Sequence, residues 1–163
     1  MAEPTPFAWQ VGCQLPGFQA PPISRHTLAL YCGASSDYNP IHVDIDFARS
    51  AGMPDVFAHG MLGMAYLAHV LTAVAPMSAL RSYGVRFVAV THVGDSLCCT
   101  AQVAGIVERN GERIAQLSLS AVDQKQQIKL LGDAEIALSP ATATQDDAMT
   151  STHLPIHRPT TSS

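Results

Sequence analysis

The chain has 163 residues, enough for one ordinary domain with a real core and too few for two. With 47% hydrophobic and 13% charged residues it cannot be disordered throughout, and a formal net charge of −4 without a Lys/Arg run leaves no electrostatic footprint for nucleic acid or an anionic membrane. No stretch approaches the roughly 20 apolar residues that span a bilayer, and the opening MAEPTPFAW has neither a basic region nor an apolar run, so a cytoplasmic protein without nucleic-acid or membrane partners is predicted.

Pro4, Pro6, Pro16, Pro21 and Pro22 favour an extended N-terminal arm that leads into the first strand. Ser24 or Thr27 is placed to cap a helix carrying Leu28, Leu30, Tyr31 and Ala34 and ending near Ser35. Pro40 fixes its own φ and pushes Asn39 out of the α region, so Asp37 to His42 reads as a turn. After it, Asp44 and Asp46 at the start and Gly52 at the end bound a second short helix. Gly60 to Ala75 is apolar nearly all round and stops at Pro76, which predicts a long helix wrapped on most sides.

From Ser82 the pattern alternates and becomes β-branched, broken at Val93-Gly94-Asp95 and at Asn110-Gly111, a hairpin signal. Strands are expected near 82–90, 95–108, 112–123 and 128–138. One buried helix followed by an antiparallel sheet predicts an α+β fold in which the sheet curls around the helix. Cys98 and Cys99 are neighbours on a strand and point to opposite faces; with Cys13 and Cys32 they suit neither a disulfide framework nor zinc and read as reduced, mostly buried thiols. The domain is expected to span 1–140, and the Thr, Ser, Ala and Pro-rich segment 141–163 to be a disordered tail.

The segment Tyr31–Met61 concentrates Asp37, Asn39, His42, Asp44, Asp46 and His59 in a chain otherwise poor in such groups. A turn from Asp37 to His42 brings a carboxylate and an imidazole to within one water molecule of each other, the arrangement of a shared general acid and base. The competing reading makes Asp37 or Asn39 an Asx turn or a helix cap and His42 a satisfied polar residue.

The motif D-x-N-P-x-H at Asp37, Asn39, Pro40 and His42, followed by A-H-G-M at Ala58–Met61, resembles the MaoC-like family of (R)-specific enoyl-CoA hydratases and 3-hydroxyacyl-thioester dehydratases. The likeness continues through YGVRF at Tyr83–Phe87 and VGD at Val93–Asp95, and covers residues 8–138. It implies a hotdog fold, an antiparallel sheet wrapped around a long central helix. It implies reversible syn addition of water to a trans-2-enoyl thioester, with coenzyme A arriving as part of the substrate and no cofactor or metal.

By position Asp37 and His42 match the family's catalytic dyad and Asn39 the residue that orients the water. Gly60 matches the residue whose backbone N–H holds the thioester oxygen. A helix N-terminus independently suits that task, because its free N–H groups and dipole face developing enolate charge. His59 is a candidate for positioning the loop or contacting substrate, and Arg86 for meeting coenzyme A phosphates. A serine that some relatives carry beyond the His-Gly motif is replaced here by Ala68, with Tyr66 and His69 nearby. Tyr66, Leu67, Leu71 and Met77 are candidates for setting pocket depth.

Three other readings compete. A hotdog thioesterase would activate water against the carbonyl. A catalytic subunit of a heteromeric dehydratase would need a related hotdog partner, and a single hotdog with an open sheet edge implies a homodimer or heterodimer in any case. His42-Val43-Asp44 with a distant His92 would form an H-x-D metal site.

Overall fold

The computed structural model describes residues 7–138. The expected tail 141–163 lies outside them.

The proline-rich arm runs antiparallel to a long strand, bonded through Gly12 N–H to Val103, Leu15 N–H to Ala101 and Ala20 N–H to Leu97. It contributes β1 (Phe18–Gln19). Ser24 caps α1 (Arg25–Ser35) by accepting the Thr27 N–H, so of the two candidate caps Ser24 is the one used. A 3-10 turn at Pro40–His42 follows, then α2 (Ile45–Ser50), then α3 (Gly60–Thr72). The remaining strands are β2 (Leu80–Phe87), β3 (Cys98–Arg109), β4 (Glu112–Val122) and β5 (Ile128–Leu138). They form one antiparallel sheet in the order β1-β3-β4-β5-β2. Asn110 and Gly111 both have positive φ, 53° and 78°, which closes the β3–β4 hairpin as its sequence requires.

Two strand limits differ from expectation for identifiable reasons. The first long strand ends at Phe87 because Val88 and Ala89 both direct their N–H groups at the Lys129 carbonyl, which takes the chain off the ladder. The strand expected from 95 begins at Cys98, because the Asp95 carbonyl accepts from Ile23 N–H and the Ser96 N–H goes to the Gln124 side chain.

One face of the sheet covers α3. Leu67, Val70 and Leu71 pack among Cys99, Ala101, Val103, Leu117, Leu119, Ala121, Leu130, Ala134 and Ile136. Gly63 lets the helix approach closely, since a Cβ there would lie 3.1 Å from Leu130. The helix is less wrapped than its composition suggests: Met61, Ala65, His69 and Thr72 form an exposed stripe along it. A second cluster, Ile23, Leu28, Ala48, Val56, Ala58 and Leu62, seats α1 and α2 over its N-terminal end. All four cysteines are free, but only Cys99 is buried, because Cys98 points out of the opposite sheet face and Cys13 and Cys32 sit on the periphery. Among the described residues no helix is long and apolar enough to cross a membrane.

Candidate active site

The site forms where α1 ends, the proline turn follows and α3 begins. Asn39 sits at φ −59°, ψ 119°, outside the α region as the residue before Pro40 must be. Its side-chain oxygen accepts the Ile41 N–H at 3.1 Å, and the Asp37 Oδ1 accepts the Asn39 N–H at 3.3 Å. Both residues thus hold the turn in shape, and the Asn39 amide nitrogen and the second Asp37 oxygen remain for other work. Asp44 is spent differently: its Oδ1 accepts from the Asp46 and Phe47 N–H groups and caps α2.

His42 is only 8% exposed, and its Nδ1 lies 2.8 Å from the Phe57 carbonyl oxygen. A carbonyl can only accept, so Nδ1 carries the proton and donates, which leaves the Nε2 lone pair as a base. His59 is 1% exposed and stacks on His42 with ring centroids 3.9 Å apart and planes 28° apart. By the same logic its Nε2–H donates to the Asp37 backbone carbonyl at 3.3 Å, while its buried Nδ1 has no partner among the described residues. Polar atoms of Asp37, His42 and His59 all lie within 4.8 Å of one another. Two hydrogen bonds of roughly 2.8 Å meeting at one water hold their outer atoms about 4.5 Å apart, so a separation of at most 4.8 Å is compatible with a water between Asp37 and His42.

This trio is also the set of groups closest to a metal-site arrangement among the described residues. It differs from the His42, Asp44 and His92 set that the H-x-D pattern suggests, which loses Asp44 to its cap. The nearly parallel stacking places the two imidazoles side by side rather than converging on one point, an arrangement ill-suited to a tetrahedral or octahedral ion.

Burial holds the His59 imidazole below its ordinary value of 6.5, and positive charge on His42 acts in the same direction; the Asp37 carbonyl and carboxylate oppose both. The unfolded chain therefore takes up this proton near pH 6.5, whereas the folded site refuses it until the pH is lower. Through that interval the unfolded state binds more protons, and stability rises with pH. Thermal melts are expected to show a drop in Tm as pH falls below about 6.5, and the drop should be smaller in His59→Gln, which keeps a donor for the Asp37 carbonyl and cannot titrate. An unchanged drop in that variant would remove His59 as its source.

Among the described residues no side chain caps the N-terminus of α3. Leu62 N–H turns back to the His59 carbonyl, and the first two N–H groups, of Gly60 and Met61, have no intrahelical acceptor. A Cβ on Gly60 would lie 3.0 Å from the Phe87 ring, so the ring lies directly against this helix start. Beside it opens a largely apolar cavity of about 300 Å³, lined by Phe57, Ala58, Gly60, Phe87, Val88, Ala89, Val90, Thr91 and Leu130. Neither Asp37 nor His42 lines it; the link to His42 is Phe57, a lining residue whose carbonyl the imidazole holds.

The structure brings Asp37, Asn39, His42, His59 and Gly60 together. Arg86 stands apart: neighbours on a strand face opposite ways, and since Phe87 turns toward Gly60, Arg86 turns to the outer face, beside Gly84, Leu131, Gly132 and Asp133. Leu67 and Leu71 are fully packed in the core and Met77 is on the surface, so the cavity wall is made by other residues. Phe87 and the 88–91 segment escaped sequence reasoning because they read as the continuation of a strand.

A family model described as "MaoC like domain" matches residues 13–125. The chain belongs to the MaoC-like domain family. It is 32% identical over 87 residues to the (R)-specific enoyl-CoA hydratase of Rhodospirillum rubrum, 52% of this chain and 60% of that one. It is 24% identical over 117 residues to a mitochondrial 3-hydroxyacyl-[acyl-carrier-protein] dehydratase of Arabidopsis thaliana, covering 72% of this chain and 70% of the relative. Among solved structures, the unliganded R-hydratase of Pseudomonas aeruginosa superposes with a TM-score of 0.68 at 21% identity, covering 93% of this chain and 94% of that one. The ChsH1–ChsH2 complex of Mycobacterium tuberculosis gives 0.68 at 18%, covering 80% and 98%. The fold is the α+β hotdog expected from the sequence. The hydratases and dehydratases so named are hydro-lyases, which agrees with the class of enzyme the motif suggests.

Proposed function

We propose that this MaoC-like protein adds water reversibly to a trans-2-enoyl thioester, carried by coenzyme A or another thiol, to give the (R)-3-hydroxyacyl thioester. The observation that carries the reading is the nearness of Asp37, within 4.8 Å, to a His42 whose Nδ1 is committed to the Phe57 carbonyl. Asp37 and the His42 Nε2 share that water and draw a proton from it as its oxygen bonds to Cβ. The carbon–carbon double bond opens toward the carbonyl, whose oxygen takes up negative charge. The Gly60 N–H at the α3 start stabilises that charge, and the dyad returns a proton to Cα. The reaction needs no cofactor, because water supplies both groups that are added, the hydroxyl at Cβ and the hydrogen at Cα.

Phe87, Val88 and Val90, which line the cavity, and Met61 beside Gly60 are exposed, and among the described residues β2 leaves one edge of the sheet open. A second hotdog chain, identical or related, is the partner that such an edge and apolar rim suit. Light scattering on the purified chain checks this; a stable, active monomer would overturn it.

The function is tested by following the enoyl-thioester absorbance of crotonyl-CoA and of a long trans-2-enoyl-CoA while assaying free thiol. Loss of absorbance without thiol is the expected result. Thiol release accompanying loss of the band would instead establish a thioesterase, since hydrolysis also destroys the enoyl-thioester chromophore.

A further inference from the structure

Outside the dyad the most heavily bonded charged group is Lys129, at the start of β5. It is 2% exposed, yet its Nζ has four oxygen neighbours. It donates to the Val90 carbonyl at 2.9 Å and to the Gln127 side chain at 2.8 Å, and lies 3.3 Å from carboxylate oxygens of both Asp95 and Asp123. Each carboxylate is fixed in turn. Asp95 accepts from His92 N–H and the Gln124 amide, and Asp123 from the Lys125 and Gln127 N–H groups. Burial works against ionisation of both, and these N–H donors together with Lys129 outweigh it, holding each below the usual carboxylate range.

What this cluster grips is the cavity wall. Lys129 reaches Val90 with its ammonium and Val88 with its own carbonyl, so it clamps the 88–91 segment from two directions. The next carbonyl, of Thr91, accepts the Ala58 N–H at 2.9 Å, and Phe57 bridges to His92. Ala58 lies between Phe57, whose carbonyl fixes the His42 ring, and the His59–Gly60 helix start. Lys129 is thus two hydrogen-bonded steps from the acceptor that decides which His42 nitrogen is the base.

We infer that Lys129, with Asp95 and Asp123, is a positioning residue for the hydration site, holding segment 57–60 in register so that the His42 Nε2 and the Gly60 N–H face the same substrate. The inference rests on the proposed hydratase reading, and one of its readouts is independent of it. Misplacing catalytic groups by about 1 Å costs up to about 100-fold in rate. Lys129→Met is therefore expected to lower kcat by about 10- to 100-fold with KM changed less than about threefold. NMR of the imidazole nitrogens should show the His42 ring leaving the single Nδ1–H tautomer of the wild type.

Because Lys129→Met strands two buried carboxylates, the double variant Lys129→Met/Asp123→Asn is measured beside it, with Leu117→Ala as a core variant that is destabilised but keeps its kcat. A folded double variant with wild-type kcat and an unchanged His42 ring would overturn the inference. So would a fall in kcat no larger than that of Leu117→Ala, or failure of both Lys129 variants to fold, since the cluster would then serve the fold alone. If the wild type hydrates no enoyl thioester while the His42 tautomer still depends on Lys129, the functional reading fails and the positioning role stands.

Discussion

Asp37→Asn is expected to lower kcat for enoyl-thioester hydration by about 10²- to 10⁴-fold, the range for loss of a positioned general acid or base. The variant is informative because it is nearly isosteric. Its side-chain oxygen still accepts the Asn39 N–H, so the proline turn keeps its shape while the carboxylate's basicity is gone. His42→Ala is expected to fall at least as far, but it also strips the Phe57 carbonyl of its donor in a buried place, which destabilises by about 1–3 kcal/mol. Two residues that act on one water do not contribute independently, so the double variant should be little slower than the worse single one. Steady-state kinetics with melting curves for all three variants make the test. Near-full rates in folded Asp37→Asn would end the dyad mechanism.

Much of this site was legible because its parts are close in sequence and punctuated by residues with strong backbone preferences. Pro40 dictates the turn, Gly60 and Pro76 bracket α3, and Asn110-Gly111 closes the hairpin with positive φ at both positions. The curled sheet followed from alternation, and the hotdog assignment from the D-x-N-P-x-H and A-H-G-M motifs. Features made by contacts across long separations were not legible. His59 stacks on His42 from 17 residues away in the chain. The Lys129 cluster joins three segments, and nothing local to Lys129 distinguishes it from a surface lysine in an alternating strand. Arg86 and Phe87 invert the usual guess. The charged neighbour looked functional from its chemistry, but the pleat gives the inward position to the aromatic one. Sequence also overstated how far α3 is enclosed, because apolar composition does not say whether a helix face meets the same chain or another.

Gly60→Ala is expected to separate stability from rate. Gly60 is not among the glycines with positive φ, so its backbone accepts an alanine, and within a helix that exchange favours folding by up to about 1 kcal/mol. The obstacle is the Phe87 ring at 3.0 Å, but that side chain is 52% exposed and has room to swing by the few tenths of an ångström required. Tm should therefore hold or rise slightly. Rate should not, because the new methyl group stands beside the N–H to which the proposed mechanism assigns the thioester oxygen; loss of one such donor costs about 100-fold or more. The double variant Gly60→Ala/Phe87→Ala distinguishes two causes. If displacement of the ring were responsible, removing the ring would restore activity. If the methyl group bars the substrate from the backbone, the double variant stays slow, which is the expected result. Wild-type kcat in Gly60→Ala would move the oxyanion site away from the α3 start, leaving the free N–H groups there without a role in the reaction.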